Sequence, residues 1–159
     1  MVLDTVTGAP DPVWRFPIGL VGGVVATLWM DIAMARLPEG ETPPSVAASV
    51  LTETHPGNAP RRLASVAHYL AGTGTGLLFV WLSLLVETFL GEPSITTALL
   101  TAVLLFVLMV SFFVLVPLAL VPGLDDQRRR RVARDWALSA AAYLVVLVAL
   151  VVSLSAVLA

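Results

Sequence analysis

The side chains best suited to chemistry in this chain are an aspartate and a histidine that lie inside long apolar stretches. Asp31 lies about six residues before the end of the first stretch, and His68 lies about five residues after the start of the second. Histidine changes its charge near neutral pH, and a neighbouring carboxylate stabilises the protonated form. An ionised carboxylate that faces lipid costs about 2.5–3.5 kcal/mol on the insertion scale. We therefore expect Asp31 to face inward, with His68 as its partner.

Other polar side chains lie at a similar depth, on helix faces that also carry small residues. If these faces converge, they form one polar cavity or proton site near one end of the bundle. The residues expected there are Asp31, His68, Tyr143, Thr27, Thr75 and Ser139. Three interpretations of the central pair remain open. It is a hydrogen bond that fixes helix register, a pair that handles protons or binds a ligand, or no pair at all, with Asp31 snorkelling or bonded to Arg36.

Four apolar stretches must position these residues. They cover about residues 17–37, 64–90, 95–121 and 136–158, and each reaches the roughly 20 helical residues that a hydrocarbon core of about 30 Å requires. Only 13% of the residues are charged, against about 25% in soluble domains, and mean hydropathy is +0.92. The expected fold is all-α: one membrane domain over residues 1–159, a polytopic bundle of four transmembrane helices.

Arginine placement predicts the orientation of this bundle. Eight of the nine basic residues, all arginine, lie in or beside the loops that join spans 1 to 2 and 3 to 4, and Arg15 alone lies on the other side. The positive-inside rule then places both loops in the cytoplasm and both termini outside a plasma membrane. We expect Glu87, at the outer end of span 2, to reach the headgroups. We expect the run Arg128, Arg129, Arg130 and Arg131 to contact anionic lipid and not nucleic acid.

A short interfacial helix is expected in the first cytoplasmic loop. Thr42 is a candidate N-cap, Pro43 and Pro44 suit a first turn, and His55-Pro56-Gly57 would end the helix. The segment would lie along the membrane or across the mouth of the bundle. It is either a strap between spans or a lid.

Small residues predict which spans pack closely. Gly19 and Gly23 in span 1, and Gly72 and Gly76 in span 2, have the spacing that lets helix backbones approach in lipid. Span 3 is dominated by Leu, Val and Phe. We expect it to be the most lipid-exposed span or to meet a partner, either a second copy of the chain or another membrane protein.

Several kinds of site are excluded or unsupported by composition. The chain has no cysteine, which excludes disulfides, thiolate metal sites and iron–sulfur clusters, and it has only two histidines. His55 lies in a loop, so no pair of intramembrane histidines is available for haem. We expect no metal, no cofactor and no catalytic residue.

Two short stretches resemble a prokaryotic family of four-span membrane proteins of unknown function. They are Ala26 to Asp31, with an Ala-Thr-x-x-Met-Asp pattern, and His68 to Gly72, with a His-Tyr-x-x-Gly pattern. The arginine-only basic set is typical of a GC-rich genome, as in haloarchaea. The two motifs together span 11 of the 159 residues. It implies a four-helix membrane fold and brings no activity with it.

Three functions are compatible with these features. The leading hypothesis is a non-enzymatic accessory or small-ligand-binding bundle whose polar cavity opens to the cytoplasm. The alternative is a proton-coupled transporter or channel for small solutes that uses Asp31 and His68. The third is an intramembrane enzyme that acts on lipid.

Overall fold

The chain folds into long helices that leave little room for other structure. A computed structural model describes residues 12–158. The described residues are 85% helical and form no strand. The predicted exterior N-terminus falls in residues 1–11, outside the described part. The helices are α1 (Pro12–Met34), α2 (Thr42–Thr52), α3 (Arg61–Leu90), α4 (Ile95–Leu115), α5 (Pro117–Leu120) and α6 (Asp126–Leu158), with a 3₁₀ turn at Pro56–Asn58.

Four helical segments are long and apolar enough to cross a membrane, which confirms the expected fold class. They are Pro12–Met34, Arg61–Leu90, Ile95–Leu120 and Asp126–Val157. The second and fourth helices begin before their apolar stretches, at Arg61 and Asp126, because charged residues end an apolar stretch without ending a helix. At 1.5 Å per residue, the 30 residues of α3 reach about 45 Å, so α3 tilts or extends beyond a hydrocarbon core.

The core lies around α1, which packs against α3 and α6, while α4 packs against α6 and α3. Buried residues of all four long helices meet there, including Met30, Phe79, Leu105 and Leu147. Only 17% of the apolar window in α4–α5 is buried, against 39% in α1. The span with few small residues is thus the most exposed, as expected.

The contact between α1 and α3 runs along glycines. A Cβ on Gly19 would lie 2.6 Å from the carbonyl oxygen of Gly76, and a Cβ on Gly23 would lie 2.9 Å from that of Thr73. One turn further, Thr27 occupies the space that a side chain on Gly72 would need. The two backbones touch only because these side chains are absent.

The short helix α2 forms as expected, with different ends. Glu41 is the N-cap, and Thr42 is already helical, with its hydroxyl donating to Glu39 Oε2 at 2.6 Å. The cap prediction was wrong because the loop supplies this acceptor nearby. The last helical residue is Thr52, and Glu53, the C-cap, adopts the left-handed conformation. His55, Pro56 and Gly57 fall in the separate 3₁₀ turn.

Packing places α2 across the arginine-rich end of the bundle. Val46 is fully buried there in a second apolar cluster, with Phe113, Leu118 and Val132. Leu51, near the end of the same helix, is 68% exposed. The helix therefore contacts α3, α5 and α6 through part of its apolar face.

Two carboxylates anchor the loop before α2. Arg128 donates to Glu39 through Nε at 2.9 Å and Nη2 at 3.2 Å. These bonds hold the pKa of the Glu39 carboxyl below its usual range. Asp135 is fully buried, and its Oδ2 accepts the Glu39 backbone N–H at 2.9 Å, while Arg134 donates to its Oδ1 at 2.9 Å. The loop is thus tied to α6.

Glu87, at the opposite end, faces the protein and not the headgroups. Its two carboxylate oxygens accept from Arg15 at 2.7 and 2.6 Å, and Arg15 also donates to Ser83 Oγ at 3.1 Å. The predicted position was wrong because Arg15, on the facing helix, provides a closer counter-charge than the headgroups. Both side chains are largely buried, so the pair excludes most solvent.

Candidate functional site

Asp31 accepts hydrogen bonds from two consecutive residues of α3. His68 Nε2 lies 2.8 Å from Oδ1, and the Tyr69 hydroxyl donates to Oδ2 at 2.7 Å. Because a carboxylate only accepts, the His68 proton lies on Nε2 in this arrangement. Nδ1 of His68 has no hydrogen-bond partner within residues 12–158 and is left as an acceptor. We call Asp31, His68 and Tyr69 the polar triad.

The close contact of α1 with α3 at Gly19, Gly23, Gly72 and Gly76, which we call the α1–α3 seam, sets this geometry. The two helices are antiparallel, so each turn forward on α1 meets one turn back on α3. Thr27 contacts Gly72, and four residues further along each helix Asp31 meets His68. The close glycine contact therefore fixes the register that brings the triad together.

Tyr69 was not among the predicted site residues. Side chains at consecutive helical positions point about 100° apart. Tyr69 therefore does not share a helix face with His68, and a search for residues on one face does not find it. Asp31 lies between the two side chains and offers one oxygen to each. The only available signal was the His-Tyr pair itself, which also carries the resemblance to the four-span family.

A polar cavity of about 650 Å³ opens at the arginine-rich end, beside the triad. The His68 side chain is only 9% exposed and that of Asp31 is 35% exposed, so the triad connects the interior of the bundle with this cavity. Residues of α2, the 3₁₀ turn, the start of α3 and the start of α6 complete the walls. The charged or titratable ones besides the triad are Glu41, His55, Arg61 and Arg128.

The other four predicted residues do not join this cavity, so the expected single convergence was wrong. Thr27 and Ser139 are fully buried, and each hydroxyl donates to the carbonyl four residues earlier, at Gly23 and Asp135. This local bond satisfies a hydroxyl in an apolar helix without a tertiary partner. Thr75 does the same with Ala71.

Tyr143 contacts the backbone of α3 instead of the carboxylate. Its ring is fully buried, and its hydroxyl donates to the Gly72 carbonyl at 2.6 Å. Gly72 has no side chain, which leaves that carbonyl open to the phenol. Tyr143 therefore locks α6 to the α1–α3 seam, one turn from the triad.

A second cavity, almost wholly apolar, lies between α3 and α4. Its volume is about 470 Å³, and Thr75 and Tyr143 are among its few polar wall residues. Leu70, Leu108 and Phe112 line it and are each 47% to 69% exposed, so it opens along the outer surface of the bundle. We call it the lateral groove.

The four consecutive arginines have different surroundings. Arg128 is paired with Glu39, and Arg129 donates to the Leu118 carbonyl. Arg130 is exposed, and Arg131 is half-buried. Two of the four thus bond to other parts of the protein: Arg128 to the loop before α2, and Arg129 to α5.

Metal binding has no support in the described geometry. Within residues 12–158, no three His, Asp or Glu side chains lie close enough together to hold a metal ion. Asp31 and His68 supply two such groups and Tyr69 a phenol. The contacts that the structure shows within the triad are hydrogen bonds.

No protein-family model, curated protein or solved structure matches the chain. The resemblance to four-span proteins remains limited to its two short motifs. The geometry of the triad and its cavity is therefore the basis for a functional proposal.

Proposed function

We propose that this chain is a non-enzymatic membrane protein that binds a small ligand in the polar cavity beside the triad. The observation that carries the proposal is a carboxylate and an imidazole, joined at 2.8 Å inside spanning helices, at the wall of a cavity of about 650 Å³. Cavities of roughly 300–1,000 Å³ with a few convergent polar groups are typical ligand sites. Polar groups inside spans are costly and usually serve function.

The triad is suited to recognition because its hydrogen bonds pre-orient one free atom. Asp31 fixes the His68 proton on Nε2, which leaves Nδ1 to accept from a ligand hydroxyl or N–H. Tyr69 holds the second carboxylate oxygen, so Asp31 has few orientations available. A site arranged before binding loses less entropy when the ligand arrives.

Arginine distribution supports a cytoplasmic opening for the cavity in a plasma membrane. Arg61, Arg62 and the run at residues 128–131 lie at the cavity end, while Arg15 is at the other end and neutralised by Glu87. Under the positive-inside rule, ligand enters from the cytoplasm and both termini are outside. The exposed face of α4 remains the surface for lipid, a second copy or another membrane protein.

Proton-coupled transport is the second candidate, and one observation favours it. His68 lines both the polar cavity and the lateral groove. An imidazole in that position can accept a proton from the polar cavity and pass it toward the middle of the bundle. Flux that depends on a pH gradient in proteoliposomes, and that is lost in Asp31→Asn, would favour transport over binding alone.

Native mass spectrometry from mild detergent tests the binding proposal. We expect the wild-type protein to retain an additional mass, and His68→Gln and Asp31→Asn to lose most of it. Thr88→Val is the matched control, because Thr88 is an exposed residue of the same helix near its far end, bonded to its own backbone. Retention that is equal in all four proteins, at equal thermal stability, would contradict the proposal.

A further inference from the structure

The lateral groove and the polar cavity meet inside the bundle. His68 and Pro44 line both of them, so the two spaces adjoin at the triad and at the start of α2. The groove opens toward the region that lipid tails occupy. The two adjoining spaces thus differ in character: the groove is apolar along the outer surface of the bundle, and the cavity is polar at the arginine-rich end.

Some charged or titratable residues of the polar cavity have hydrogen-bond partners, and others have none. Asp31 is held by His68 and Tyr69, Arg128 by Glu39, and His55 Nδ1 accepts the Gly57 N–H. Arg61 and Glu41 are the two charged wall residues with no ion pair or hydrogen bond from their side chains within residues 12–158. They have opposite signs. A headgroup that carries both a phosphate and an ammonium complements this pair, whereas a headgroup of one sign meets a like charge.

We infer that the occupant is a zwitterionic phospholipid, with an acyl chain in the lateral groove and its phosphate and ammonium in the polar cavity beside Arg61 and Glu41. The inference rests on the proposed function because it uses the same cavity, and it names the ligand class. The groove volume of about 470 Å³ is adequate for an apolar chain. Entry is then lateral from the bilayer, between α3 and α4.

The glycine at position 74 allows the groove to be blocked without disturbing packing. Gly74 lines the groove, and a Cβ built on it would meet no atom within 4 Å. Gly74→Phe therefore fills the groove while the α1–α3 seam is unchanged. Val103→Phe is its control, because Val103 is 61% exposed on α4 and does not line the groove.

The test is lipid titration of delipidated protein, followed by native mass spectrometry. The probes are dioleoyl phosphatidylethanolamine and dioleoyl phosphatidylglycerol, which share acyl chains and differ in net headgroup charge. We expect wild type to prefer the ethanolamine lipid by about two- to fivefold, the range for one exposed charge pair. Glu41→Gln should abolish that preference, and Arg61→Gln should weaken binding of both lipids. Arg130→Gln, an exposed arginine outside the cavity walls, should behave as wild type.

Several outcomes would overturn the inference. They are equal or tighter binding of the glycerol lipid by wild type, unchanged binding in Gly74→Phe, and a dimer mass that excludes lipid from the groove. If lipid binding fails in one of these ways while the mass retained by wild type is still lost in His68→Gln, the ligand class is wrong and the proposed binding function stands. If that mass is also insensitive to His68→Gln, both fail.

Discussion

The polar triad joins two side chains, His68 and Tyr69, to the carboxylate of Asp31 within a largely apolar bundle. Its stability depends on each donor having an acceptor, because an unpaired buried polar group costs about 1–3 kcal/mol. His68 is the most enclosed member and Tyr69, 43% exposed, the least. Removing each member should therefore have an unequal effect.

We expect His68→Leu to destabilise the protein most, Asp31→Asn by about 1 kcal/mol, and Tyr69→Phe least. Leucine leaves Oδ1 of Asp31 without its donor at the buried side of the triad, whereas asparagine retains one acceptor oxygen. The Tyr69 hydroxyl can bond to water when its partner is lost. Thermal unfolding in detergent measures the order, and a largest loss in Tyr69→Phe would contradict it.

Acid should weaken the loop that leads to α2. The pKa of Glu39 is lowered in the folded protein by Arg128, so its contribution is fully present above the usual value of 4.5 and is lost as pH falls through the lower folded value. We expect the melting temperature of wild type to fall more steeply below about pH 4.5 than that of Glu39→Gln. Parallel curves for the two proteins would show that the Glu39–Arg128 pair contributes nothing.

The positions of Asp31 and His68 within their apolar stretches were sufficient to pair them, because both lie a similar number of residues from the same end of the bundle. The same reasoning grouped Tyr143, Thr27, Thr75 and Ser139 with this pair, and none of the four lines the polar cavity. Depth gives a position along the bundle axis and not around it. A hydroxyl in an apolar helix can also bond to its own backbone, which no residue spacing reveals.

The α1–α3 seam is the element on which the site depends. A Cβ on Gly76 would overlap the Gly19 carbonyl, whereas one on Gly74, half a turn away on the same helix, would meet nothing within 4 Å. We expect Gly76→Ala to cost about 1–3 kcal/mol through overpacking. Gly74→Ala should be neutral or stabilise α3 by up to about 1 kcal/mol. Equal melting temperatures in a thermal-shift assay would be inconsistent with the seam.

The Arg15–Glu87 pair fastens the seam at its other end. Removing one partner of a largely buried pair leaves an uncompensated charge, so we expect Glu87→Ala to cost about 3 kcal/mol. The double variant Arg15→Ala, Glu87→Ala should recover part of this loss, because no buried charge is then left. A double-mutant cycle by thermal unfolding measures the coupling, and strictly additive losses would argue against the pair.

The existence of helix α2 was predictable from the sequence, whereas the residues at which it begins and ends were not. Two prolines followed by small and apolar residues indicate a short helix, and the structure contains one at Thr42–Thr52. The N-cap depends on a tertiary contact. Arg128 holds the Glu39 carboxylate, which accepts a hydrogen bond from the Thr42 hydroxyl. Asp135, buried beneath this loop, escaped notice because its partner is a backbone N–H 96 residues away in sequence.

At the scale of the whole molecule, apolar length and the small number of charges determine the four-helix fold. Each stretch of about 20 apolar residues must satisfy its backbone internally, which a helix does within itself. The two cavities could not be predicted in this way, because a cavity is where packing between elements is incomplete. They arise where α2 crosses the arginine-rich end and where α3 and α4 separate.

We propose that the cavity beside the triad faces the cytoplasm and holds a ligand. Ser65 lines that cavity and is exposed, and the chain has no cysteine, so Ser65→Cys provides one reactive thiol without background. Its reaction rate with a membrane-impermeant maleimide should be measured in intact cells and in inverted vesicles, alone and combined with His68→Gln. We expect labelling only in inverted vesicles, and faster labelling with His68→Gln, where the ligand no longer shields the thiol. Labelling of intact cells, or equal rates with and without His68→Gln, would contradict the account.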